Sequence, residues 1–432
     1  MPHAAVALPA GRALSTRLSL ALLAYMVGVV AVITLLPFRF QSPTLARFLW
    51  SGGLVDIVTN VCLFLPLGFL YQLTQHQVDD RWCWRPAMVS GTLSLCIELA
   101  QLFLPGRYST PMDVLANTLG AWLGATLYAW TAQRLQQRLV GQLALELPLM
   151  SLFYLLIPLL WLNALSTGME LSRLWLAVLP GLCGGGIVVA LWQYRLRPAG
   201  VLSANTLALV VGLWFLVGTA PGLAKRPQFL ICCSFGVAGI VRLLAAMPWV
   251  LGHHARRFEL PTLRRIWPLY VTYVCLVALW PWPWGPHAWR ISLGFAGVSD
   301  IPGIIPTLRF IEYIAAFTLL GYMIAEFRGR QDEAYTITVR WLMASAVLVG
   351  GVLEIIRGFH PAHGASVAHL VVATVAVLYG GVLYQLQLTS VQQLLAHTTR
   401  SQGEHTSGSA GSDTLHHPLF AVRTAAERTD NR

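Results

Sequence analysis

Apolar runs of about 20 residues follow one another along this chain, separated by short stretches that collect Arg, Pro and Gly. A helix of about 20 apolar residues crosses the hydrocarbon core of a bilayer. Unbroken runs of that length point to helices, because a barrel strand would alternate between its two faces. About twelve runs qualify, with cores at 18–36, 54–74, 87–104, 112–132, 146–165, 174–194, 203–219, 228–249, 267–284, 306–325, 341–357 and 367–386. Pro and Gly interrupt the seventh, ninth and tenth. The pattern predicts an all-α, polytopic helical membrane protein with about 12 transmembrane helices.

Composition agrees. The chain is 56% hydrophobic and 11% charged, with a mean hydropathy of +0.62, where a soluble domain carries roughly 25% charged residues. Its net charge of +11 is spread over many loops, so it forms no nucleic-acid patch. With the N-terminus in the cytoplasm, the inner loops and tail hold roughly twice as many basic residues as the outer loops. Both termini are then expected inside. The first apolar run is followed by LLPFRF rather than by small residues, and is read as a retained span. Seven Cys show neither a metal-ligand spacing nor a disulfide framework. No cofactor motif is present.

The chain repeats itself. Glu98 to Tyr128 reads ELAQLFLPGRYSTPMDVLANTLGAWLGATLY, and Glu354 to Tyr384 reads EIIRGFHPAHGASVAHLVVATVAVLYGGVLY. Upstream, NVCLFLPLGFLYQL resembles YIAAFTLLGYMIAE, with Gly68 facing Gly321. Eight spans separate the copies, so the four-helix repeat is parallel. The expected organisation is a cytoplasmic arm at 1–17, a four-helix unit at 18–135, a middle four-helix unit at 140–252, a degenerate copy of the first unit at 266–388 and a disordered cytoplasmic tail at 389–432. The loop HHARRFELPTLRR from His253 to Arg265 is the most basic. It fixes topology, or meets anionic lipid headgroups.

Candidate chemistry gathers in the first copy. Polar side chains are costly in a bilayer and mark a partner or a task. Glu98 and Gln101 share a face of span 3, and Asp113 and Asn117 share a face at the start of span 4. Asn60 adds an amide from span 2, and Arg107 lies in the turn between spans 3 and 4. These six would line a polar pocket opening to the extracytoplasmic side. The alternative is interhelical hydrogen bonding, with Arg107 paired to Asp113. Gly120 and Gly124 on span 4, and Gly68 on span 2, are helix-packing positions. The second copy keeps Glu354, but carries Arg357, His363 and His369 where the first has Gln101, Arg107 and Asp113. Glu354 and Arg357 would form a buried pair within a second polar site.

Asn60 with FLPLGF, then IE-xx-Q, then Arg107 followed by D-xxx-N-xx-G-xxx-G, resembles the VanZ family of bacterial membrane proteins. The resemblance covers about 20–132, and makes Asn60, Glu98, Gln101, Arg107, Asp113, Asn117 and Gly120 the signature positions. Many members carry a further acid before the Asp, where this chain has Thr110. The resemblance implies a place in the bacterial inner membrane and a role at the cell envelope, connected with glycopeptide resistance. It transfers no catalytic mechanism and no cofactor.

Three functions remain open. One is an envelope protein binding a lipid-linked or amphiphilic, glycopeptide-type ligand in the pocket of spans 2–4, with membrane lipid as its other partner. Another is a transporter or flippase of an envelope lipid or polysaccharide precursor. The third is an enzyme on lipid-linked substrates, against which stands the lack of any nucleophile with an adjacent base in the motifs.

Overall fold

The computed structural model describes residues 10–42, 49–50, 53–74, 84–105, 107–134, 146–168, 170–200, 202–247, 258–281, 288–294, 303–331, 335–360 and 364–407. They form twelve long helices. These are α1 (Ala10–Leu35), α2 (Leu54–Thr74), α3 (Trp84–Gln101), α4 (Pro111–Arg134), α5 (Leu147–Ser166), α6 (Val178–Leu191), α7 (Ala204–Leu223), α8 (Pro227–Ala246), α9 (Glu259–Leu279), α10 (Ile304–Gly329), α11 (Tyr335–Gly358) and α12 (Val367–Ser407). A tight turn, Leu171–Ala177, leads into α6. Among the described residues, eight spans, at α2, α5 to α8 and α10 to α12, are long and apolar enough to cross a membrane, the one at α6 running from Leu171 to Leu196. The protein is an all-α, polytopic membrane protein.

Two boundaries differ from the hydrophobic pattern. Helix α9 starts at Glu259, inside the segment expected to be a basic loop. Pro261 falls in its first turn, where a missing N–H costs nothing, and apolar Leu263 and Ile266 are buried on either side of exposed Arg264 and Arg265. Helix α12 runs on to Ser407, into the segment expected to be a disordered tail; a packed helix extends readily into good helix formers such as QQLLA.

The repeat is visible in matched contacts. In the first copy α2 packs closely on α4, and in the second α10 packs closely on α12. A Cβ at Gly68 would overlap the Ala121 carbonyl, and one at Gly321 would overlap the Val377 carbonyl. Likewise Gly124 meets the Leu65 carbonyl and Gly380 the Thr318 carbonyl. Gly120 meets Val61 in the same way. Backbones this close admit no side chain between them, which is why small residues sit there. Phe69 meets Tyr128 edge to face, as Tyr322 meets Tyr384. Helices α5 to α8 lie between the two copies in sequence and pack on both, with α5 against α10 and α2 against α7.

The polar turns of both copies are tied down by backbone pairing. Leu49 donates to the Ser109 carbonyl at 3.0 Å and Gln41 to the Phe103 carbonyl at 2.7 Å. In the second copy two short strands, β1 (Ile291–Ser292) and β2 (Ala365–Ser366), pair in parallel.

Candidate functional site

The polar residues of the first copy meet where α3 ends and α4 begins. Thr110 precedes Pro111, the first residue of α4, and its hydroxyl accepts the Asp113 N–H at 3.1 Å, so it caps the helix. Pro fits the first helical position, having no N–H to leave unpaired. The Thr110 N–H in turn donates to Glu98 Oε2 at 2.9 Å. Thr110, which stands in the region of the missing acid, is therefore the joint between Glu98 and Asp113.

Asp113 Oδ1 accepts from Asn60 Nδ2 at 2.7 Å. Asp56, one helical turn before Asn60, lies close enough to act on the Asp113 charge, as Asp113 acts on Glu98. Three carboxylates thus follow one another across α2, α4 and α3. Asp56 is the member that the motif reading omits. Its signal is the spacing of four from Asn60, which places both on one face. Asn117 donates to Ser94 Oγ at 2.8 Å, leaving its own buried oxygen unbonded. Gln101 donates to the Thr34 carbonyl at 3.1 Å. Gln101 and Asn117 therefore hold α3 against α1 and α4 at the edge of the cluster.

Arg107 does not pair with Asp113. Its guanidinium donates to the Ile33 carbonyl at 3.1 Å, and it forms no ion pair among the described residues. Burial without a counter-charge pulls its pKa down. It is half-buried in the turn.

The second copy keeps the frame and neutralises the charge. Glu354 Oε2 accepts the Ser366 N–H at 2.7 Å, and the Ser366 hydroxyl accepts the His369 N–H at 3.2 Å. Its other oxygen is bound by Arg357 at 2.8 Å, and both side chains are buried. His369 lies edge-on to Tyr313 and Phe310. His363 lies outside the described residues.

A second set of polar groups lies in the middle of the bundle. Arg173 and Glu312 form an ion pair at 2.8 Å with side chains almost wholly enclosed. Glu312 also accepts from Asn163 at 2.9 Å, Tyr273 at 2.8 Å and Ser166 at 2.5 Å. Toward the end of the bundle, Arg309 pairs with Glu170 at 3.1 Å, and Trp280 donates to Glu170. Sequence reasoning missed this network. Its signal is Glu312 itself, a lone acid inside an apolar run.

The fold and these clusters define a polytopic helical membrane protein with a polar cluster built on its first four helices. Comparison with known proteins matches the same part of the chain. The VanZ/LLP1 family model matches residues 15–136. Protein VanZ of Enterococcus faecium is 23% identical over 126 residues, which cover 29% of this chain and 76% of that protein. No solved structure matches. The chain carries a VanZ-like unit at its N-terminal end.

Proposed function

We propose that the VanZ-like unit binds the anionic headgroup of a lipid-linked or amphiphilic, glycopeptide-type ligand, with Arg107 as the cation and Asn60, Asp113 and Asn117 as hydrogen-bonding groups. One contrast carries this reading. Arg107 in the first copy has no carboxylate partner among the described residues, while Arg357 in the second is neutralised by Glu354. A guanidinium at the edge of a bilayer without its own counter-ion is suited to a phosphate or carboxylate headgroup. The exposed Leu95, Leu99, Leu115 and Leu119 on the same two helices offer a surface for an acyl or prenyl chain. In this reading the Glu98 end of the bundle faces the extracytoplasmic side of a bacterial inner membrane, both termini are cytoplasmic, and ligand capture contributes to glycopeptide resistance. Titration of the full chain in nanodiscs with a polyprenyl phosphate and with teicoplanin tests it. Binding lost in Arg107→Gln and retained in Arg357→Gln supports the reading; equal binding by wild type and Arg107→Gln overturns it.

Transport of an envelope lipid or polysaccharide precursor is the second reading. The buried Arg173–Glu312 pair favours it, because ionisable groups inside a membrane bundle commonly line a path. Vesicles reconstituted with the full chain that move no labelled lipid would remove it.

A further inference from the structure

At the opposite end of the bundle from Glu98, three carboxyl groups and two guanidiniums are packed together. Glu146 sits at the start of α5, Glu259 at the start of α9 and Glu326 near the end of α10. All three are buried, Glu146 and Glu326 to 0% exposure. Arg330 is their common partner, 3.1 Å from Glu259 and 3.8 Å from both Glu146 and Glu326. Arg195, just after α6, holds the other Glu146 oxygen at 2.5 Å. Among the described residues, three acids therefore surround two bases.

The hydrogen bonds fall short in the same sense as the charges. The Glu146 and Glu259 carboxyl groups are within hydrogen-bond reach of one another. Yet Glu146 Oε2 receives no donor among the described residues, and neither oxygen of Glu326 does. Two carboxyl groups brought this close in an enclosed space favour a proton held between them. From α12 the hydroxyl of buried Tyr384 points to the same place: it touches the Gly329 position, feels the charges of both Glu326 and Arg330, and has no partner of its own. The other groups nearby are already engaged. Tyr322 of α10 bonds the Pro148 carbonyl and Gln387 of α12, and Gln387 bonds Ser151 of α5. Arg264 of α9 lies over the Phe327 ring and Arg328 over the Trp341 ring of α11, while Arg265 acts on Tyr194. No group of three or more ligating side chains has metal-site geometry among the described residues. The side chains of Arg195 and Arg330 are 20% and 22% exposed, so the cluster communicates with water through them.

We propose that Glu146, Glu259 and Glu326 form a proton-binding site, in which three buried carboxyl groups around Arg195 and Arg330 hold one exchangeable proton taken from the adjoining aqueous phase. The proton supplies the missing donor and balances the charge. It belongs to the cluster rather than to one residue. Burial, together with the facing Glu259, pushes the Glu146 carboxyl up to about 7, against the pull of Arg195. The site is therefore poised to exchange near neutral pH. It lies apart from Arg107 and stands whether or not that residue binds a ligand.

Infrared difference spectroscopy of the full chain in nanodiscs reads the neutral carboxyl directly. The wild type is expected to show a carboxyl band at neutral pH that shifts in heavy water and disappears on raising the pH, with no response to added sodium at fixed pH. Each of Glu146→Gln, Glu259→Gln and Glu326→Gln leaves two acids for two bases, so each is expected to lose that same band. Glu312→Gln, at a carboxylate whose two oxygens are both bonded, is expected to keep it. A band unchanged in all three variants, a band lost only in Glu326→Gln, or one displaced by sodium overturns the proposal. Should the variants fail to fold, the wild-type titration still decides: a band absent at neutral pH, or constant with pH, overturns it.

Discussion

Glu98 and Thr110 are joined by a single hydrogen bond, the Thr110 N–H donating to Glu98 Oε2 at 2.9 Å across twelve residues of sequence. Glu354 and Ser366 repeat it at 2.7 Å, also across twelve residues. The glutamate common to both copies is thus part of the frame that starts the last helix of each unit. The groups without a counterpart, Arg107 and Asp113, are what the first unit adds.

Removing either glutamate should therefore weaken the fold, and Glu354 the more so, because its loss also strands the buried Arg357. Glu98→Ala and Glu354→Ala each leave a buried N–H without an acceptor, at a cost of about 1–3 kcal/mol. Glu98→Gln and Glu354→Gln keep an acceptor oxygen and should cost less. Thermal unfolding in detergent checks this. If Glu98→Ala unfolds at the wild-type temperature, the structural role assigned to it is wrong.

The two arginines should separate stability from binding. Arg357→Gln leaves Glu354 as a buried, unpaired charge, which costs about 3–5 kcal/mol. Arg107→Gln breaks one bond to the Ile33 carbonyl and should cost roughly 1 kcal/mol or less. Melting temperatures of the two variants, measured side by side, should differ clearly, with Arg357→Gln the lower.

Glycines at the α2–α4 and α10–α12 contacts should tolerate no side chain. Gly124→Ala and Gly380→Ala push a methyl into the Leu65 and Thr318 carbonyls. Helix separation of this kind costs about 1–3 kcal/mol or more. Gly236→Ala on α8 meets nothing within 4 Å and should be neutral or slightly stabilising. Equal melting temperatures for Gly124→Ala and Gly236→Ala would refute the close contact.

Acid should loosen the Glu170–Arg309 contact. Partial burial tends to raise the Glu170 carboxyl, but hydrogen bonds from Trp280 and Arg309 outweigh it and hold it below its ordinary value of 4.5. A folded-state value below the unfolded one gives stability that is present above about pH 4.5 and is lost as the pH falls through the lowered value. Glu170→Gln should abolish that part of the acid dependence. Because Glu170 is 42% exposed, the effect is small. A pH series of unfolding temperatures for wild type and Glu170→Gln measures it; parallel curves below pH 4.5 would contradict it.

Much of this was legible before the structure. The run 54–74 coincides with α2, and the matched glycines and glutamates announced the repeat, because close helix contacts and buried acids leave few alternatives in an apolar sequence. What hydropathy hides is the amphipathic start of α9, where polar and buried positions alternate around the helix. It also hides pairing. Glu312 lies within a run that averages as apolar, and its partner Arg173 lies outside the helix proper, in the turn before α6. Glu146, Glu259 and Glu326 are spread over 180 residues of sequence and meet only because α5, α9 and α10 end on the same side. Arg107 was placed by the motif, but its choice of the Ile33 carbonyl over Asp113 depends on where α1 ends.

The most direct measurement is equilibrium binding of a polyprenyl phosphate to the full chain in nanodiscs, comparing wild type with Arg107→Gln at matched folding. The account predicts saturable binding by the wild type that weakens at least tenfold in Arg107→Gln and persists in Arg357→Gln. Indistinguishable affinities for wild type and Arg107→Gln would contradict it.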